Sequence, residues 1–212
     1  MKQGLAMACV VVGLFGCGTP MTAVGAAGPE SSDGGSRGGG GGGGGSDVPR
    51  CAVTAEASPL EPPNHWPLGT TPEWGSNPPS SGSHYPQWAA YQEYTTPVPR
   101  GFYVHDLEHG AVVLLYNCAT VEGGEGGSAC EALRQALREA SASLPDDPLC
   151  VAPVRVRTII TPDPLIPTPI AATAWGFVYR APCVDLASLK AFVAAHYGHG
   201  REDECTNGVT SF

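Results

Sequence analysis

The sequence is short of positive charge, has no long apolar run, and contains no methionine after Met21. Eleven Lys and Arg stand against 20 Asp and Glu, a formal net charge of −9 at pH 7. No basic cluster exists, which argues against nucleic-acid partners, since that binding depends on grouped cations neutralising phosphates. Such acidity favours solubility and concentrates cations near the surface. The apolar stretch Leu5 to Phe15 falls short of the roughly 20 residues that a membrane-spanning helix needs. No two cysteines form a C-x-x-C pair, so a thioredoxin-like dithiol and a zinc-ribbon knuckle are both missing. The glycine run Gly38 to Gly45 has neither a strand before it nor a helix or lysine after it, which excludes a phosphate loop.

What is present begins with an export signal. Lys2 supplies a positive start, Leu5 to Phe15 an apolar core, and Leu14-Phe15-Gly16-Cys17 resembles the bacterial lipobox. Residues 1–17 are therefore expected to be a lipoprotein signal peptide, with Cys17 acylated and N-terminal after cleavage. The alternative is an ordinary secretory signal cut near the alanines before Pro29. Both export the chain to the extracytoplasmic side of the cell envelope, and the sequence does not name the leaflet. Acyl chains hold a protein to membrane lipid through methylenes worth about 0.8 kcal/mol each. Residues 18–50 are Gly, Ser, Ala and Pro with almost nothing to bury, a disordered tether spanning roughly 30 Å as a Gly-rich coil.

Residues 51–212 suit a single domain. Its six cysteines, Cys51, Cys118, Cys130, Cys150, Cys183 and Cys205, are an even set in an oxidising compartment, so three disulfides are expected. Spacing alone does not choose their pairing. Residues 51–100, rich in Pro, Ser, Gly and Trp, read as an irregular but ordered coat. Ala111 to Tyr116 reads as a strand buried on both faces. Ser128 to Glu131 has the form of a capping box, and Leu133, Leu137, Ala140 and Leu144 continue a helix stopped by Pro145. Val154 to Ile160 alternates apolar residues with Arg155, Arg157 and Thr158 on a solvent-facing side, like a half-exposed strand, and Ala171 to Tyr179 reads as another. A last helix follows Asp185, with Leu186, Leu189, Phe192, Val193 and His196 on one face, and ends at Gly198. The β-α-β-β-α order predicts an α+β fold, a mixed sheet with helices packed on one side.

Chemistry concentrates in two segments, Asn77-Pro78-Pro79-Ser80-Ser81-Gly82-Ser83-His84-Tyr85 and Val104-His105-Asp106-Leu107-Glu108-His109-Gly110. Together with Ala174-Trp175-Gly176, they resemble the bacterial family Domain of Unknown Function 3105, whose members carry an N-P-P-T-S-G-P-H-like stretch, H-x-L-E-H-G before a strand, and a later A-W-G. The resemblance covers roughly residues 65 to 180 and departs at Ser83, where proline is usual, and in the stretch from Glu122 to Cys130. It implies kinship and no activity.

Imidazole is the commonest metal ligand near neutral pH, and His84, His105 and His109 all lie within the matching motifs. His105 and His109, at i and i+4, share a face in a helical turn or an extended segment. With Glu108 or Asp106 beside them they form a candidate site for copper(II) or zinc, expected to weaken as pH falls through about 6.5. His65, beside Trp66, is a candidate fourth ligand that its spacing does not support. Two alternatives stand beside the metal reading. In one, the histidines bond backbone carbonyls and the domain is a non-catalytic interaction or structural module. In the other, His105 to His109 is the H-x-x-E-H pattern of inverted zinc peptidases, which requires a long helix and an open coordination position, whereas here Gly110 and an apolar run follow at once. His196 and His199 read as structural or incidental, and Trp66, Trp74, Trp88 and Tyr91 as packing. Cys17→Ala is expected to shift the protein from the membrane to the soluble fraction on cell fractionation. Unchanged membrane association would overturn lipid attachment.

Overall fold

A computed structural model describes residues 51–212, so the signal, Cys17 and the glycine-rich stretch lie outside the described residues. The core is a five-stranded mixed sheet: β1 (Thr54–Ala57), β2 (Val112–Tyr116), β3 (Thr158–Pro162), β4 (Ile170–Ala174) and β5 (Phe177–Ala181), in the order β1-β5-β4-β2-β3. Only β2 and β3 run parallel. Three helices accompany it: α1 (Arg100–Glu108), α2 (Ser128–Ala142), which makes the β2-to-β3 crossover, and α3 (Leu186–His196). Among the described residues no helix is long and apolar enough to cross a membrane.

The period of 2 along β2 divides the core. Val112, Leu114 and Tyr116 pack with Leu133, Leu137 and Ala140 of α2 and Leu189, Phe192 and Val193 of α3. Val113 and Leu115 point the other way, onto Phe102, Val104 and Leu107 of α1 and Tyr85 and Tyr94 of the coat. The α+β class holds, and the two expected helices share one face. The unexpected α1 covers the other, so the sheet is buried on both sides.

Four local expectations change. The segment 51–100 contains β1, an exposed edge strand paired antiparallel with β5, Thr54 opposite Arg180. The strand expected at Val154 to Ile160 begins only at Thr158. Arg157, read as solvent-facing, is buried, with Nε 2.9 Å from Asp147 and Nη1 2.8 Å from Asp203. The strand expected from Ala171 to Tyr179 is the β4–β5 hairpin, turned at Trp175-Gly176, where Gly176 takes φ +78°. The capping box does not form. Gly127 occupies the N-cap without a side-chain bond, and Glu131 pairs with Arg134 and Arg138 instead. Asp185 does cap α3, accepting from Ser188 N at 3.0 Å.

The cysteines pair as Cys51–Cys183, Cys118–Cys130 and Cys150–Cys205, with Cα separations of 5.6, 5.1 and 4.9 Å, all within the bridging range. The first ties the chain before β1 to the loop after β5. The second holds the start of α2 to the end of β2, and the third fastens the C-terminal segment to the loop before β3. Sequence separations of 132, 12 and 55 residues give loop-closure stabilisations that increase with loop length. The chain-entropy relation puts them at about 5, 3 and 4 kcal/mol respectively. Paired Cys→Ser variants, followed by denaturant unfolding, are expected to lose stability in the order 51–183, 150–205, 118–130. Two or more free thiols on titration of the denatured, unreduced parent would overturn full pairing.

Candidate metal centre

The second motif folds as the last turn of α1. Every residue of that helix except Arg100 is buried, and Leu107 enters the core. Termination follows from Gly110. At φ +82° it lets its own N–H bond Leu107 O at 3.0 Å and Ala111 N bond Asp106 O at 3.0 Å, a Schellman closure that turns the chain directly into β2. His105 and Glu108, three apart, therefore face the same way beneath the coat.

The first motif is clamped to the β4–β5 hairpin by its own backbone. Pro79 O accepts from Thr173 Oγ1 at 2.8 Å, and Ser80 O accepts from Gly176 N at 2.8 Å. Arg180 Nε reaches Asn77 O at 2.7 Å, while Arg100 Nη2 donates to Asn77 Oδ1 at 2.8 Å. All three motifs thus meet, and the clamp delivers His84 to α1. The coat brings in a further imidazole: His65 bridges His84 in parallel, with His84 N on Asn64 O at 3.0 Å and Trp66 N on His84 O at 2.7 Å.

His65, His84, His105 and Glu108 each place one ligand atom within 4.8 Å of the others. His65 is exposed and the other three are buried. Ring centroids lie 4.6 Å apart for His84 and His105, 5.0 Å for His65 and His84, and 5.2 Å for His65 and His105. His84 Nδ1 stands 2.8 Å from Gly82 O, and His105 Nδ1 stands 2.7 Å from Tyr85 O. A carbonyl accepts only, so each Nδ1 carries the proton, and in the neutral ring each Nε2 is a bare lone pair. His84 Nε2 lies 3.1 Å from Glu108 Oε2, yet the two are not aligned as a hydrogen bond, and this nitrogen is buried without a hydrogen-bond partner. Arg201 Nη1 donates to Glu108 Oε1 at 2.7 Å, fixing the rotation of the carboxylate.

Of the residues expected to act together, His84, His105 and Glu108 do converge. His109, the C-cap residue, does not join them. Its ligand atom groups with those of Glu202 and Glu204 on the C-terminal segment, although its ring stays 4.7 Å from that of His105. Asp106 turns elsewhere, accepting from Ala89 N at 3.0 Å. His65 was weakly marked in the sequence, and Arg201, Glu202 and Glu204 were not marked at all. His196 stacks on Phe177 at 4.0 Å, and Trp88 packs 5.1 Å from His105 and 4.8 Å from His109.

A family model described as "Protein of unknown function (DUF3105)" matches residues 65–208. The chain belongs to this family. The DUF3105 match takes in all four converging residues, from His65 to Glu108, and the C-terminal segment that carries Arg201. No curated protein and no solved structure matches the chain.

In this DUF3105 chain His105 to Glu108 of the H-x-x-E-H segment form the last turn of the nine-residue α1, and His109 is its C-cap. Its geometry is still not that of the peptidase motif. The two histidines fall into separate groups, and Glu108 sits among the ligand atoms, where a water-activating base would need to stand clear of them.

Burial disfavours the charged imidazoles. It pushes His105 down to about 3, and it lowers His84 despite the Gly82 carbonyl and the Glu108 carboxylate, which oppose the shift. His109 is lowered by the same cause. In the unfolded chain these rings take up protons near 6.5, so between that value and their folded ones the unfolded state holds more protons. Stability must fall as pH falls through that window, by roughly 1 kcal/mol per pH unit for each histidine. Asp106, fully buried with its pKa raised by desolvation, gives one opposing proton. Urea unfolding of the chelator-treated protein from pH 7 to pH 4.5 is expected to show the loss, with a shallower slope in His105→Asn. Equal slopes would overturn the neutral, buried state of His105.

Proposed function

We propose that the protein is a membrane-anchored extracytoplasmic lipoprotein whose domain binds one divalent transition metal, copper(II) or zinc, through His65, His84, His105 and Glu108. The observation that carries this reading is the commitment of both Nδ1 atoms to main-chain carbonyls. It fixes the tautomers and leaves two Nε2 lone pairs, one of them unpartnered beside a carboxylate oxygen. Lone pairs facing a carboxylate repel one another unless a cation lies among them. Backbone hydrogen bonds to the far nitrogen are the usual outer support of metal-bound histidine.

The donor set also speaks to the ion. The domain has no methionine, and its six cysteines are disulfide-bonded, so soft sulfur ligands for copper(I) are missing among the described residues. Three imidazoles and a carboxylate suit a borderline ion. Four protein donors fill a tetrahedral shell, which favours holding an ion over hydrolysis at an open position. Export and lipid attachment rest on Lys2, Leu5 to Phe15 and the lipobox-like Leu14 to Cys17.

Calorimetric titration of the full-length chain, purified in detergent and stripped of metal, tests the site. Copper(II) or zinc is expected to bind more tightly than about 10 μM, near −7 kcal/mol. His105→Ala and Glu108→Gln are each expected to weaken that binding at least tenfold. Binding as tight in both variants as in the parent, or none below 10 μM in the parent, would overturn the reading in favour of an interaction module.

A further inference from the structure

Helix α1 presents a second cluster one turn beyond the first, and its ligands are independent of the four above. His109 is 2% exposed, its Nε2 is 3.4 Å from Glu202 Oε2, and Glu204 completes a group whose ligand atoms lie within 4.8 Å of one another. His109 Nδ1 is buried with no hydrogen-bond partner. The two carboxylates belong to a stretch held at several points. Gly198 N bonds Gly110 O at 2.8 Å, Glu202 N bonds Glu108 O at 2.9 Å, and Cys205 is tied to Cys150. At Gly200 the chain passes so close to Glu108 O and Gly110 N that no side chain would fit.

The nearby cations are committed elsewhere. Arg201 donates to Glu108, and Arg157 is shared by Asp147, Asp203 and the His109 carbonyl. Among the described residues, no Lys or Arg forms an ion pair with Glu202 or Glu204; Glu204 accepts only from the Thr206 hydroxyl, at 2.9 Å. Two carboxylates are therefore held against a buried imidazole with no cation of the protein's own between them.

We infer that His109, Glu202 and Glu204 form a second, weaker site for a divalent cation beside the first. Coordination uses the neutral form of the imidazole. One nitrogen and two oxygens leave coordination positions to water. Because Glu202 and Glu204 are exposed, this ion exchanges with solvent more readily than one bound mainly by buried groups. The rings of His105 and His109 are 4.7 Å apart, so the two ions would be neighbours, both beside Trp88.

Zinc titration of the metal-stripped full-length chain, followed by native mass spectrometry and calorimetry, tests the inference. Two zinc ions per chain are expected, the second bound at least tenfold more weakly. The pair change Glu202→Gln/Glu204→Gln, which keeps both side chains' size and removes their charge, is expected to abolish the weaker event and spare the tighter one. His105→Ala is expected to do the reverse, and copper(II) is expected to quench Trp88 fluorescence in two phases that become one in the glutamine variant. A single event untouched by Glu202→Gln/Glu204→Gln, or two events both untouched, would overturn the second site while leaving the first in place. A single event lost in the glutamine variant and untouched by His105→Ala would uphold the second site and overturn the first. No binding at all would overturn both.

Discussion

The last turn of α1 and its C-cap are buried on every side, yet four of the five residues from His105 to His109, namely His105, Asp106, Glu108 and His109, are ionisable. That conflict organises everything packed around it. A buried polar atom left without a partner costs about 1–3 kcal/mol, and here partners come from the coat, the C-terminal segment and the main chain. Tyr85 O receives His105, Ala89 N supplies Asp106, and Arg201 supplies Glu108. The coat has few regular elements because its work is to offer carbonyls and amides at fixed places. Its backbone is in turn pinned to the β4–β5 hairpin through Pro79 and Ser80.

The disulfides act on the same problem from outside. Arg201 and Glu202 lie far along the chain from Glu108 and would be free to leave it. Cys150–Cys205 and the backbone bonds of Gly198 and Glu202 keep them over the end of the helix. The buried Arg157 holds the other flank, joining Asp147 on the loop before β3 to Asp203 and to the His109 carbonyl. A charged pair as enclosed as Arg157 and Asp147 is weak evidence for stability, since desolvation offsets most of its attraction. Its contribution here is position: it sets where the C-terminal segment crosses α1.

Elements marked by a continuous apolar run, a one-sided stripe or a capping residue were legible in the sequence: the run in β2, the stripe of Leu133, Leu137 and Ala140 in α2, and the Asp185 cap of α3. Helix α1 carried no such mark, because a helix buried all round has no stripe to reveal it. The four residues of β1 are exposed and alternate in nothing, so only their partner β5 makes them a strand. Arg157 misled for the opposite reason: alternation placed it in solvent, and the buried Asp147 with the exposed Asp203 holds it inside. At the site, His84, His105 and Glu108 stood out through their motifs. His65 joins by a two-residue backbone bridge and Glu202 by a disulfide-held crossing, neither of which leaves any periodic mark.

The metal reading and the purely structural one agree about half of each imidazole. Both need Nδ1 on a main-chain carbonyl, and His84 and His105 both have it. They part at the other nitrogen. A side chain kept only to pin the coat needs a single donor, and its remaining polar atom would be expected to face water or a partner. His84 Nε2 does neither: it is buried beside Glu108 Oε2 and unbonded, while His109 Nδ1 and Asp106 Oδ1 are also without partners. At about 1–3 kcal/mol each, three such atoms around the end of α1 consume a large part of the 5–15 kcal/mol by which a domain is ordinarily stable. Protonating His84 would relieve its contact with Glu108, but burial opposes that proton. A divalent cation supplies the charge without requiring the proton, and it uses the lone pair that the tautomer leaves bare. The arrangement is therefore costly as scaffolding and coherent as a ligand shell, and this difference weights the histidines toward binding.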